Sequence, residues 1–156
     1  MISFNQKIKK RAKDINSYLC VGIDVNAKAL GSDNFEDLKT HSKKIIDATR
    51  DIALAFKPNF AFFERWGSKG FKWLEETVEY IGSDCIIIAD AKRGDIGNTA
   101  RQYAESIFDH FGFDAVTLNP YMGEDSINPF LVHQHKGVFI YVELQIHLRI
   151  FFRAKN

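Results

Sequence analysis

The stretch Asp90-Ala91-Lys92-Arg93-Gly94-Asp95-Ile96-Gly97-Asn98-Thr99 comes directly after the apolar run Cys85-Ile86-Ile87-Ile88-Ala89. The run is short, continuous and β-branched, as a fully buried strand requires. The charged residues stand where that strand should emerge into a loop. Side chains alternate along extended chain, so Asp90 and Lys92 are expected on one face. A carboxylate and an ammonium side by side at a strand end are costly to desolvate. They are either a structural ion pair or part of a site that uses them. The surrounding sequence decides between the two.

Outward from this stretch, similar apolar runs recur: Leu19–Asp24, Leu54–Asn59, Ala115–Asn119 and Gly137–Ile140. Their spacing of roughly thirty residues is that of a βα unit. Between them, apolar residues keep helical spacing. Leu38, Ile45, Ile46, Thr49, Ile52 and Ala53 make one set, and Phe71, Leu74, Val78 and Ile81 another. Ala100, Tyr103, Ala104, Ile107, Phe108 and Phe111 make a third, and a leading helix carries Phe4, Ile8, Ala12 and Ile15. Strand and helix in strict alternation predict an α/β fold with a parallel sheet covered by helices. Polar residues end successive strands: Asp24, Lys57 with Asn59, Asp90 with Lys92, and Asn119. In parallel α/β folds that end binds ligands. Three consecutive strands ending in such residues favour a functional site over an isolated ion pair.

Composition sets the bounds. The chain has 156 residues, 46% hydrophobic and 26% charged, with 14 Phe, as expected of one soluble domain with a substantial core. A net charge of +1 gives no reason to expect nucleic acid or an anionic membrane as a partner. No apolar stretch is long enough to span a bilayer, and the N-terminal stretch Asn5–Arg11 is polar, not signal-like. Cys20 and Cys85 lie in or beside apolar runs and are expected as buried, reduced thiols of a cytoplasmic protein. Lys7, Lys9, Lys10 and Arg11 read as a solvated helix face, and Trp66 and Trp73 as packing residues seven apart on one helix. His133-Gln134-His135 lacks ligand-spaced partners and reads as a solvated loop; no metal site is expected. Arg93-Gly94-Asp95 matches an adhesion tripeptide but sits inside the charged motif.

Together these residues resemble the orotidine 5'-phosphate decarboxylase family, in the subgroup common in bacteria. The resemblance runs through Val21–Asp24, Phe56–Glu64, Gly67–Gly70, Asp90–Thr99 and Asn119–Ser126. Asp-x-Lys-x-x-Asp alone is shared with related phosphosugar barrels; Lys57 and Asp24 on neighbouring strands make the pattern specific. The resemblance implies a TIM (β/α)8 barrel, here its first five strands with their helices, usually homodimeric and using no cofactor or metal. It implies conversion of orotidine 5'-monophosphate to UMP and carbon dioxide in pyrimidine biosynthesis. Lys92 would be the proton donor, and Asp90 would lie near the substrate carboxylate. Lys57 would hold the charged array, with Asp95 entering from the other subunit. Asp24 and Thr99 would contact the ribose. One charge pair at about 4 Å is worth about 4 kcal/mol at an effective dielectric of about 20. Enzymes lower barriers by about 8–23 kcal/mol, so preorganisation and remote binding must supply the rest.

The chain also departs from that pattern. A (β/α)8 barrel has eight strands in typically about 250 residues, and its phosphate site usually lies after strands seven and eight. Beyond Ile140 the family expects a strand end close to Leu-Cys-Arg-Thr-Ser-Asn-Pro-Ser, whereas this chain reads Tyr141-Val142-Glu143-Leu144-Gln145-Ile146-His147-Leu148. Permissible codons for that segment, read two bases on, give Cys-Arg-Thr-Ser-Asn-Pro-Ser. The expectation is a single incomplete barrel domain over 1–156, frameshifted near Ile140, with 141–156 as an out-of-frame tail. Strands one and five would then be open edges, apolar interior would be exposed, and turnover would be low. The alternatives are an inactive remnant or nucleotide-binding fragment, and a metal-dependent phosphosugar lyase of the same superfamily.

Overall fold

In the computed structural model, which describes residues 2–141, the expected strands form one parallel sheet in the order β1-β2-β3-β4-β5. They are β1 (Leu19–Ile23), β2 (Ala53–Pro58), β3 (Ile86–Arg93), β4 (Ala115–Leu118) and β5 (Gly137–Ile140). Each pairs in parallel with the next. The helices are α1 (Phe4–Ile15), α2 (Ala27–Leu30), α3 (Phe35–Thr49), α4 (Phe60–Glu64), α5 (Ser68–Ile81), α6 (Gly97–Glu105) and α7 (Asn128–Leu131). A π-helical turn, Ser106–His110, continues α6.

The sheet divides the core in two. The larger cluster packs the helices on the outer face, around Ile46, Phe56, Phe63, Leu74, Ala104, Ile107 and Phe113. A smaller cluster on the inner face holds Ala55, Ile86, Ile88 and Ala115 with Phe4 and Ile8 of α1. Helix α1 therefore crosses the N-terminal ends of the strands instead of joining the outer layer. Lys7 Nζ pairs with Asp114 at 2.8 Å, and Arg11 donates to the carbonyls of Ala53 and Arg50. Gly137, at the start of β5, admits the Phe4 ring; a Cβ there would lie 2.3 Å from it.

Several expectations change. Lys7 and Arg11 are anchors, not a solvated face, because α1 has strand ends beneath it. Helix α3 stops at Thr49 and Ala53 opens β2, so Ile52 and Ala53 do not continue the helical stripe. Trp66 lies in the turn between α4 and α5 and Trp73 within α5; both pack on Phe35. Both cysteines are free thiols, but only Cys85 is buried; Cys20 is exposed on the edge strand β1. His133 packs against the Phe108 ring. Strands β1 and β5 are the sheet edges among the described residues, and Leu19, Phe139, Ile140 and Tyr141 are exposed there, as expected. The segment 142–156, on which the out-of-frame reading falls, lies outside the described residues.

Candidate functional site

The turn after each strand shapes its C-terminal end. Asn59 and Asn119, expected as possible ligand residues, are N-caps: their side chains accept from the amides of Ala61 and Tyr121. Asn26 does the same for α2. That leaves the charged residues to form the site.

Asp90, 7% exposed, is its centre. Its Oδ2 accepts from Lys57 Nζ of β2 at 2.6 Å, and its Oδ1 from Lys92 Nζ at 2.5 Å. The Thr117 hydroxyl of β4 lies 3.2 Å from Oδ1. Burial pushes the Asp90 carboxyl up, but hydrogen bonds from Lys57 and Lys92, reinforced by their charges, outweigh it and hold the group below the usual carboxylate range. The two lysines are open to water on one side, 31% and 52% exposed. The carboxylate is thus fixed and largely dry, while both lysine side chains stay partly open beside it, where a substrate anion can meet them.

Lys92 reaches Asp90, but not by the simple alternation of a regular strand. Ala89 pairs with Val116 and Arg93 with Leu118, so Asp90, Ala91 and Lys92 stand opposite Thr117 alone. The backbone of Lys92 takes φ 45°, in the left-handed region. For a non-glycine residue this costs about 1–2 kcal/mol, and such strain collects at functional sites. The Thr117 hydroxyl accepts from the amides of Ala91 and Lys92 at 3.1 and 3.0 Å. Arg93 points away from the site, its guanidinium between the rings of Phe60 and Tyr103 and paired with Glu64 at 2.5 Å.

The other expected site residues stand apart. Asp24 is exposed just beyond β1, its carboxylate over Gly22, whose register partner is Lys57. Asp95 turns its carboxylate to the Ile96 amide at 2.8 Å, and Thr99 lies in the first turn of α6. Among the described residues no hydrogen bond joins Asp24, Asp95 or Thr99 to the Lys57–Asp90–Lys92 cluster. Thr117 is a site residue that sequence reasoning misses: uncharged and inside an apolar strand, it gives no signal beyond its inward position, two before Asn119. Below the cluster lies an apolar cavity of about 390 Å³, lined by Cys20, Ala55, Ile86, Ile88 and Phe139 and bordered by Lys57 and Thr117. No three His, Cys, Asp or Glu side chains gather as metal ligands among the described residues.

An alternating array of this kind can hold one anion against two cations and present a proton at a defined point. Known proteins carry the same framework. An orotidine 5'-phosphate decarboxylase of Parabacteroides distasonis is 46% identical over 141 residues, covering 86% of this chain and 50% of the relative. One of Porphyromonas gingivalis is 52% identical over 126 residues, 77% of this chain and 46% of the relative. The chain thus spans about half the length of the curated relatives it matches. Among solved structures, Leishmania donovani OMP decarboxylase superposes with a TM-score of 0.81 at 39% identity, covering 89% of this chain and 53% of that one. Leishmania donovani UMP synthase gives 0.82 at 38%, covering 90% and 30%. The five strands and their helices therefore make part of a TIM barrel. The family model for orotidine 5'-phosphate decarboxylase / HUMPS matches residues 17–145, from the approach to β1 through β5. A match that runs through every described strand and every charged strand end makes this chain a member of the orotidine 5'-phosphate decarboxylase / HUMPS family.

Proposed function

We propose that Lys57, Asp90 and Lys92 form a decarboxylation array acting on orotidine 5'-monophosphate, giving UMP and carbon dioxide in pyrimidine biosynthesis. The observation that carries this reading is the buried Asp90 carboxylate held between the ammoniums of two partly exposed lysines. Breaking the bond from pyrimidine C6 to the carboxylate leaves the electron pair in an sp² orbital that the ring cannot delocalise. A preorganised cation at that atom lowers the barrier. Lys92 supplies the cation and then its Nζ proton, forming the new C6–H bond. Its half-exposed side chain recovers a proton from water. Asp90, pinned by three donors, keeps Lys92 aimed and resists moving away from the substrate carboxylate. Asp24, whose carboxylate stands over Gly22, the register partner of Lys57, supports ribose binding, with Thr99 in the same role.

Asp95 is proposed to act in a homodimer, completing the array of the partner copy. Its carboxylate accepts from the Ile96 amide and makes no hydrogen bond to Lys92 among the described residues, which supports that reading. The free thiols of Cys20 and Cys85 support a cytoplasmic setting, and no helix among the described residues is long and apolar enough to cross a membrane.

The test is UMP formation by the chain and by K92A. Loss of a general acid should lower turnover by about 10²–10⁴-fold; an unchanged rate refutes the role. Mixing inactive K92A and D95A chains should restore turnover if Asp95 acts in trans. A second reading, binding without turnover, would be selected by UMP binding in titration calorimetry with no substrate turnover. Activity abolished by a chelator would select a metal-dependent lyase instead.

A further inference from the structure

We infer that Thr117 is a positioning residue whose hydroxyl holds the left-handed turn at Lys92 and so delivers the Lys92 ammonium to Asp90. The backbone provides the reason. Because Asp90, Ala91 and Lys92 stand opposite Thr117 alone, neither the Ala91 nor the Lys92 residue has a register partner of its own on β4. Both turn to the Thr117 Oγ1 instead, at 3.1 and 3.0 Å. A hydroxyl has two acceptor positions and one proton. Its two lone pairs are filled by these amides, and the proton lies within reach of Asp90 Oδ1 at 3.2 Å, nearer than the Ala89 carbonyl at 3.4 Å. One side chain thus saturates the bulge and binds the central carboxylate at once.

The arrangement explains why the strain at Lys92 persists. A φ of 45° is unfavourable for lysine unless the surroundings fix it. Serine keeps the donor and both acceptor positions; valine keeps the shape of threonine and loses all three. The Asp90 cluster draws on β2 through Lys57 and on β3 through Lys92, and Thr117 adds β4.

Amide hydrogen exchange on the full 156-residue chain tests this directly. In T117V the amides of Ala91 and Lys92 should exchange at least about tenfold faster, the loss of one hydrogen bond's worth of protection. Ile88 and Val116 should be unchanged, and T117S should stay within about threefold of the parent, given the retained hydroxyl. General loosening would speed all four amides alike and would overturn the inference, as would unchanged protection at Ala91 and Lys92. If T117V does not fold, T117S decides: retained protection supports the role and lost protection overturns it. A kinetic arm rests on the decarboxylase reading above. There T117V should lower kcat by about 100-fold, as a misplaced group does, with KM little changed and T117S restoring the rate. A T117V chain with the parent's kcat overturns the inference. A parent chain with no turnover counts against the decarboxylase reading, and the exchange result still decides the role of Thr117.

Discussion

Asp90→Asn removes one charge and no volume, and the hydrogen bonds around Asp90 fix what it should cost. Among the described residues Oδ2 accepts only from Lys57, whereas Oδ1 faces both Lys92 and Thr117. An amide nitrogen has no lone pair, so the least costly orientation puts it toward Lys57 and sacrifices one bond to an ammonium. Hydrogen bonds to charged groups contribute about 1.5–3 kcal/mol, and breaking a fully buried pair costs about 3–5 kcal/mol. Lys57 is 31% exposed and can rehydrate, which places the loss near the lower range, at about 2 kcal/mol. With an m-value of about 2 kcal/mol/M, the urea midpoint at pH 7 should fall by about 1 M. The pH dependence supplies the sharper test. The folded-state pKa of Asp90 is depressed, so its stabilisation is complete above the unfolded value of about 3.9 and is lost as pH falls through the folded one. The difference between parent and D90N should therefore narrow steadily below about pH 4. Paired urea titrations at pH 7 and pH 3 check this. A gap that stays constant across that range would refute the charge-based account and leave only steric or packing effects.

Gly94 faces the backbone of the neighbouring strand end, and a Cβ there would lie 2.5 Å from the Asn119 carbonyl oxygen. G94A should cost about 1–3 kcal/mol, as overpacking does, read as a lower thermal midpoint; an unchanged midpoint contradicts the close approach. Glu64 is the ionic partner of Arg93, a guanidinium held between two rings with its Nε buried and, among the described residues, without a hydrogen-bond partner. Removing the anion alone should destabilise more than removing the cation, so E64L should unfold at lower urea than R93M, and the reverse order would be incompatible with that picture. The inner face and the edges of β1 and β5 expose Leu19, Phe139 and Ile140. Sedimentation velocity should show concentration-dependent association that I140K weakens, and a monomer at every concentration would contradict it.

The sheet order was legible because each strand is short, apolar and bounded by helical spacing. Parallel βα units leave little topological choice once that alternation is recognised. The errors cluster where one periodicity hands over to another. Ile52 and Ala53 fit the stripe of α3 by spacing alone, and the C-cap after Thr49 is Arg50, not a glycine or asparagine that would mark a stop. Helix α1 reads as amphipathic with a free basic face. Only the position of the strand starts beneath it turns Lys7 and Arg11 into anchors, a fact with no trace in local sequence.

The site shows the same division more sharply. Charged residues at strand ends announce themselves because burying them is expensive, and Lys57, Asp90 and Lys92 do converge as their spacing suggests. Regular alternation in β3 is not what brings them together. Between Ala89 and Arg93 the ladder slips, and a strand that slips would ordinarily send Lys92 elsewhere. What restores its aim is a left-handed residue and a threonine on the next strand, neither of which alters the charge pattern. A sequence pattern reports which charges meet; here the geometry of meeting depends on a neutral hydroxyl whose significance exists only once β3 and β4 are side by side.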